Sequence, residues 1–128
     1  MTANFENLLD KSLEEIWNER DDRRRMDAIK RIYHPDILFY EKNTEAPISG
    51  FDAINTRIIE LFQHWPAGFA FQFKTGSEIN HNIIKKSWTL GLTEAPPFIT
   101  GMDIALVENG LIKALYLFLN NPVEDNRK

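Results

Sequence analysis

The sequence predicts an α+β fold in which helices pack on one side of an antiparallel sheet. Three observations carry this. Apolar residues recur at helical spacing through the first half of the chain, up to Trp65. From Phe69 onward the chain reads as strands alone. Two of those β-rich runs meet at Asn109-Gly110, the dipeptide that most readily supplies the positive φ angles of a two-residue hairpin turn. Helix-helix-strand-helix followed by a meander segregates helices from strands, which is the α+β pattern.

Taken in order, Phe5, Leu8, Leu9, Leu13, Ile16 and Trp17 share one stripe and define a first amphipathic helix. Asp21-Asp22 then breaks the chain and starts a second helix, because acids are favourable at the positive end of the helix dipole. That helix runs from about Arg23 to Tyr33, burying Met26, Ile29 and Tyr33, and stops before Pro35. Ile37 to Glu41 is a short strand. A loop through Ala46-Pro47 leads to Ser49-Gly50, after which Phe51, Ile54, Ile58, Leu61, Phe62 and Trp65 mark a third helix that Pro66 ends. The remaining strands are Phe69–Lys74, Glu78–His81, Ile83–Leu92, Phe98–Val107 and Leu111–Leu119, with turns at Gly76, Asn80-Asn82, Pro96-Pro97 and Asn109-Gly110. The ordered core spans about 5–120, and a polar tail, 121–128, frays.

A two-residue turn pairs Glu108 with Leu111, and counting back sets Asp103 opposite Tyr116. One face then carries Gly101, Asp103, Ala105, Ile112, Ala114, Tyr116 and Phe118, and the other carries Met102, Ile104, Leu106, Leu115, Leu117 and Leu119. An acid among aromatics on the first face suggests a lined cavity. The second face is nearly all apolar and must also be covered, which predicts a homodimer through Met102, Ile104, Leu115 and Leu117.

At 128 residues the chain forms one domain, 1–128. No apolar run approaches the ~18 residues of a membrane span, and the first residues lack a signal-peptide pattern. The expected location is therefore cytoplasmic, with no membrane partner. There is no cysteine, which excludes disulfides, thiolate metal sites and cysteine nucleophiles. A net charge of −4 argues against nucleic acid as a partner. Arg20, Arg23, Arg24 and Arg25 form a basic cluster, but Asp21 and Asp22 interleave with it, so it reads as a solvated helix start.

Several ordered signatures resemble the nuclear transport factor 2-like superfamily, in particular its SnoaL-like (polyketide-cyclase-like) branch. They are Ile32-Tyr33-His34-Pro35-Asp36, Ile48-Ser49-Gly50-Phe51-Asp52-Ala53-Ile54, His81-Asn82 followed by Ser87-Trp88, Gly101-Met102-Asp103-Ile104, and Asn109-Gly110-Leu111-Ile112 running on to Phe118-Leu119. The resemblance covers roughly residues 5 to 120. It implies a cone: three N-terminal helices packed in a strongly curved antiparallel sheet that encloses a deep pocket. It also implies dimers through the outer sheet face. More distantly, the family's ketosteroid isomerases keep a base at the end of the first strand and an acid on a later strand. By local match these positions are Glu41 and Asp103, while the family's tyrosine on the first helix falls near Trp17.

A carboxyl in an apolar cavity has its ionised form disfavoured, so Asp103 can stay protonated and donate to a ligand oxygen. The bland alternative is an acid that accepts a bond from Tyr116 and fixes the hairpin. Glu41 can abstract a proton beside a carbonyl, or it is a solvated strand-end acid bordering the Lys42-Asn43-Thr44-Glu45 loop. An unperturbed histidine suits proton transfer at physiological pH, which makes His81 a further acid–base candidate. In one unbroken strand, however, His81 and Trp88 point to opposite faces, and both line a pocket only if Asn80-Asn82 turns or bulges. His34 and His64 read as capping or surface residues. No metal-binding spacing exists among the three histidines, so no metal and no cofactor are expected. No serine occupies a nucleophile elbow, and no glycine-rich loop follows a strand. Trp17, Trp65 and Trp88, with Phe39, Phe62 and Phe71, are candidates to floor a pocket for a hydrophobic small molecule, and Tyr116 and Phe118 to line it beside Asp103; ordinary core is the competing role.

The functional expectation is a small cofactor-independent enzyme, an isomerase, cyclase or dehydratase using acid–base carboxylates on a carbonyl-bearing hydrophobic molecule. The alternatives are a binding module that holds such a ligand unchanged, and a dimeric interaction module with a vestigial pocket. Convergence of Glu41, Asp103 and His81 on one cavity discriminates among them.

Overall fold

The computed structural model describes residues 7–41, 45–73 and 75–120. Phe5, the Lys42-Asn43-Thr44 part of the first loop, Lys74 and the 121–128 tail lie outside the described residues. The element order is α1 (Leu8–Lys11), a π-helical segment (Ser12–Trp17), α2 (Asp22–Ile32), β1 (Tyr33–Tyr40), β2 (Ile48–Ser49), α3 (Phe51–His64), β3 (Ala70–Phe73), β4 (Glu78–Asn80), β5 (Ile83–Gly91), β6 (Ile99–Glu108) and β7 (Leu111–Leu119). None of these helices is long and apolar enough to cross a membrane.

The first helix widens after one turn. Asn18 N–H reaches the Leu13 carbonyl at 2.8 Å, a bond to the fifth residue back, and the wider turn buries Ser12, Leu13, Ile16 and Trp17 together. The Asn18 side chain then pairs with edge strand β3, donating to Phe71 O at 3.0 Å and accepting from Phe71 N–H at 2.7 Å. A side-chain amide thus substitutes for the missing neighbouring strand. Asp21 caps α2 by accepting from Arg24 N–H at 3.0 Å. That helix buries Arg25, Ala28, Ile29 and Ile32. Arg25 therefore leaves the solvated cluster read from the sequence and enters the interior.

The seven strands form one unclosed curved sheet in the order β2-β1-β7-β6-β5-β3, with β4 also pairing β5. The sheet is mixed, because β1 runs parallel to β7, with Tyr40 beside Tyr116. β1 also begins earlier than its apolar pattern suggested. Tyr33 already pairs with Ile112, and the register slips between Tyr33 and Leu38, around Pro35, which has no N–H for a ladder. Helices cover the inner face, where Ile16, Ile29, Ile37, Ile54, Ile58, Ile84 and Ile112 make the buried centre.

The C-terminal hairpin corrects the face assignment. Its turn has two residues as expected, Asn109 and Gly110 at φ 55° and 79°, and Glu108 faces Leu111. Val107 then pairs with Ile112 but Leu106 with Ala114, so Lys113 is an extra residue, a β-bulge. Beyond a bulge every side chain changes face. Asp103 consequently pairs with Leu117 and not with Tyr116, which faces Ile104. Leu115, Leu117 and Leu119 turn inward. Tyr116 and Phe118 turn outward, 39% and 52% exposed. The outer apolar face is thus Met102, Ile104, Tyr116 and Phe118, where Tyr40 stacks on Tyr116 with ring centroids 4.5 Å apart.

Candidate functional site

Between the first helix, α3 and the inner sheet face lies a cavity of about 360 Å³. Leu13 and Trp17 come from the π-helical segment, and Phe39 and Glu41 from β1 and the residue after it. Arg57, Leu61 and Trp65 come from one stripe of α3 and its end, spaced four apart. The sheet supplies Phe71, Trp88, Leu90, Ile99, Asp103, Leu115, Leu117 and Leu119. The walls are apolar apart from Glu41, Arg57 and Asp103.

The aromatics form a connected wall. Trp17 meets Phe39 at 5.2 Å, Phe71 meets Trp88 at 5.0 Å, and Trp65 meets Phe71 at 5.7 Å, all tilted or edge-on. Two indole N–H groups are directed into the protein. Trp17 Nε1 donates to the Tyr33 hydroxyl at 2.9 Å, and that hydroxyl also shares a 2.6 Å hydrogen bond with Ser12 Oγ. Burial raises the Tyr33 phenol far above its ordinary value, against the lowering effect of Ser12 and Trp17, so it stays protonated.

Trp88 Nε1 donates to Asp103 Oδ1 at 3.0 Å. This bond requires a glycine on β6. Trp88 pairs with Gly101, and a Cβ there would stand 2.5 Å from the indole and 2.7 Å from the Phe118 carbonyl oxygen. Only a bare backbone lets the ring lie across to Asp103. Among the described residues, Trp88 is the sole hydrogen-bond partner of Asp103. The cation nearest in the sheet does not help: Lys86 is directly opposite Asp103, but its ammonium bonds Asp10 and sits 3.8 Å over the Phe73 ring. Desolvation therefore dominates and pushes the Asp103 carboxyl up to about 7, against the opposing effect of the Trp88 bond.

Glu41 stands elsewhere on the cavity wall, bound by Arg57 Nε at 2.8 Å, and Arg57 Nη1 also donates to Glu60 at 3.2 Å. The structure thus brings Asp103, Glu41, Trp17, Phe39, Trp65, Phe71 and Trp88 to one cavity. It leaves out Phe62 and three other candidates. His81 lies exposed in the β4–β5 turn with φ 54°; the turn at Asn80-Asn82 is present, but it does not bring His81 into the cavity beside Trp88. Tyr116 and Phe118 are removed to the outer face by the bulge at Lys113. Among the described residues no cluster of three or more His, Asp or Glu side chains is placed to hold a metal.

Sequence reasoning singled out Phe71 but missed Arg57, Lys86 and the inward leucines. Arg57 left a signal, since it shares a four-residue spacing with Leu61 and Trp65. Leu115, Leu117 and Leu119 left none, because β7 is apolar on both faces.

No family model matches the sequence, and no curated protein does. Solved structures do match. A candidate isomerase of the SnoaL-like family from Agrobacterium tumefaciens superposes with a TM-score of 0.80 at 21% identity, covering 89% of this chain and 95% of that one. A candidate SnoaL-like polyketide cyclase from Jannaschia sp. CCS1 gives 0.75 at 11% identity, covering 98% and 94%. A nuclear transport factor 2-like protein of unknown function from Cytophaga hutchinsonii gives 0.68 at 10% identity, covering 98% of each chain. At these identities the likeness is one of fold: the chain has the nuclear transport factor 2-like α+β cone.

Proposed function

We propose that this chain, with its nuclear transport factor 2-like fold, binds an apolar carbonyl-bearing molecule and moves a proton on it, as an isomerase or cyclase does. The observation that carries the reading is Asp103, a carboxyl buried in an apolar wall where, among the described residues, only an indole N–H stabilises its charge. In its neutral form it donates to the ligand carbonyl oxygen. Glu41, oriented by Arg57, takes a proton from the adjacent carbon. The enol so formed is held by Asp103. Returning the proton to a different carbon isomerises the ligand, and attack of the enol carbon on a second carbonyl cyclises it. The names of the structural neighbours, candidate isomerase and polyketide cyclase, support this chemistry without specifying a substrate.

The test does not need the natural substrate. A saturated ketone such as cyclohexylcyclohexanone is incubated with the protein in deuterium oxide, and loss of its α-hydrogen signals is followed by NMR. Exchange is expected to exceed the buffer rate, and to slow by about 10²–10³ in Asp103→Ala, which removes the donor altogether. As pH rises through about 7, Asp103 loses its proton and the rate should fall; that limb should vanish in Asp103→Asn. The Glu41–Arg57 ion pair favours a second reading, a binding module in which the carboxylate serves only to hold Arg57. Binding of the ketone with exchange at the buffer rate would establish that alternative.

We also propose that the chain dimerises through the outer face of β6 and β7, using Met102, Ile104, Tyr116 and Phe118. Exposed Tyr116 and Phe118 are a liability on an isolated molecule. Phe118→Glu is expected to convert the dimer to monomer in sedimentation; an unchanged dimer would move the interface elsewhere, and a wild-type monomer would remove it.

A further inference from the structure

Arg57 is a cavity group whose hydrogen-bonding capacity the protein uses only in part. Its guanidinium donates from Nε to Glu41 at 2.8 Å and from Nη1 to Glu60 at 3.2 Å; among the described residues Nη2 has no hydrogen-bond partner. A guanidinium carries five N–H donors in a rigid fork, so donors remain. The side chain is 32% exposed and lines the cavity, and Glu60 on its far side is more exposed still at 54%. Arg57 comes from the helical wall, whereas Asp103 comes from the sheet wall. The two polar groups therefore stand on different walls of one cavity.

We propose that Arg57 determines specificity by donating to a second oxygen of the ligand, remote from the carbonyl that Asp103 holds. The inference rests on the reading that the cavity takes an apolar carbonyl compound. The second group is a neutral carbonyl or hydroxyl and not a carboxylate. Glu41 and Glu60 already flank the guanidinium, so a further anion would meet two negative neighbours against one positive charge. A neutral acceptor satisfies the unused N–H groups at no such cost. The ligand class is thus an apolar skeleton, small enough for about 360 Å³, with oxygen functions at two separated points.

The chain provides its own readout, since all three of its tryptophans line the cavity. Two transparent probes differ by one carbonyl: cyclohexylcyclohexanone, and the bicyclohexyl dione with a second carbonyl on the far ring. Titration by tryptophan fluorescence is expected to show the dione binding about tenfold more tightly, the usual range for a hydrogen bond to a charged donor. In Arg57→Met the ratio of dione to mono-ketone affinity should fall to the twofold statistical factor of a symmetric ligand. Arg57→Lys, which keeps the charge but not the fork, should retain only part of the advantage. A dione advantage that survives in Arg57→Met, or no advantage in the wild type while the mono-ketone binds, would overturn the assignment of Arg57 alone. Failure of the wild type to bind either ketone would instead overturn the carbonyl-cavity reading and this inference with it. Should Arg57→Met unfold, the Arg57→Lys comparison decides by the same criterion.

Discussion

Asp103→Asn is expected to stabilise the protein above neutral pH and to leave it almost unchanged near pH 4. The folded carboxyl titrates at about 7 and the unfolded one at 3.8, because burial disfavours the charged form. Between those values the folded state holds a proton that the unfolded state has released, so wild-type stability falls as pH rises. Below 3.8 both states are protonated and the penalty is absent; above about 7 it is fully present. The shift corresponds to about 4 kcal/mol as an order of magnitude. Asparagine keeps the shape and the acceptor for Trp88 Nε1 but has no proton to lose. Urea unfolding of both proteins from pH 4 to 8 should therefore give curves that diverge by a few kcal/mol. Parallel curves would mean that Asp103 is solvated in the folded state, and its proposed donor role would go with that.

Arg25→Ala should be the most damaging single change outside the cavity, costing about 3–5 kcal/mol in urea unfolding, the usual loss when a buried charge network is broken. The Arg25 side chain is wholly buried at the junction of α2, α3 and the chain entering α2. Its Nε donates to Asn55 Oδ1 and its Nη1 to the Glu19 carbonyl, each at 2.6 Å, while Nη2 pairs with Asp22. The Phe62 ring centroid lies 5.4 Å from the guanidinium. Truncation empties this space and leaves an amide and a carbonyl without their donors. Arg25→Lys should recover only part of the loss, because one ammonium cannot reproduce a three-way fork. A cost under about 1 kcal/mol for Arg25→Ala would show that water replaces the side chain, as at an exposed site.

Local chemistry explains which parts of this structure were legible beforehand. The three helices follow from apolar spacing, the Asp21 cap and the chain-breaking Pro66. The hairpin turn follows from Asn109-Gly110, whose positive φ angles few other residue pairs accept. The aromatic walls at Trp17, Phe39, Trp65 and Trp88 were legible as candidates because each sits on the buried side of a periodic element. Asp103 stood out because an acid among small residues and strand partners has few reasons to be there.

Tertiary structure alone decided the rest. The bulge at Lys113 depends on how β7 fits between β6 and β1, and β7 beyond it is apolar on both faces. Reversing the parity of Leu115 to Leu119 therefore leaves no polar residue misplaced and no mark in the sequence. The same holds for Arg25, indistinguishable in sequence from Arg23 and Arg24, and for Lys86, whose choice of Asp10 over adjacent Asp103 is a long-range contact across 76 positions. Periodicity determines which residues share a face of their own element. Which face meets the cavity is determined by strand register and by charge pairs between distant segments, and those exist only once the chain has closed on itself.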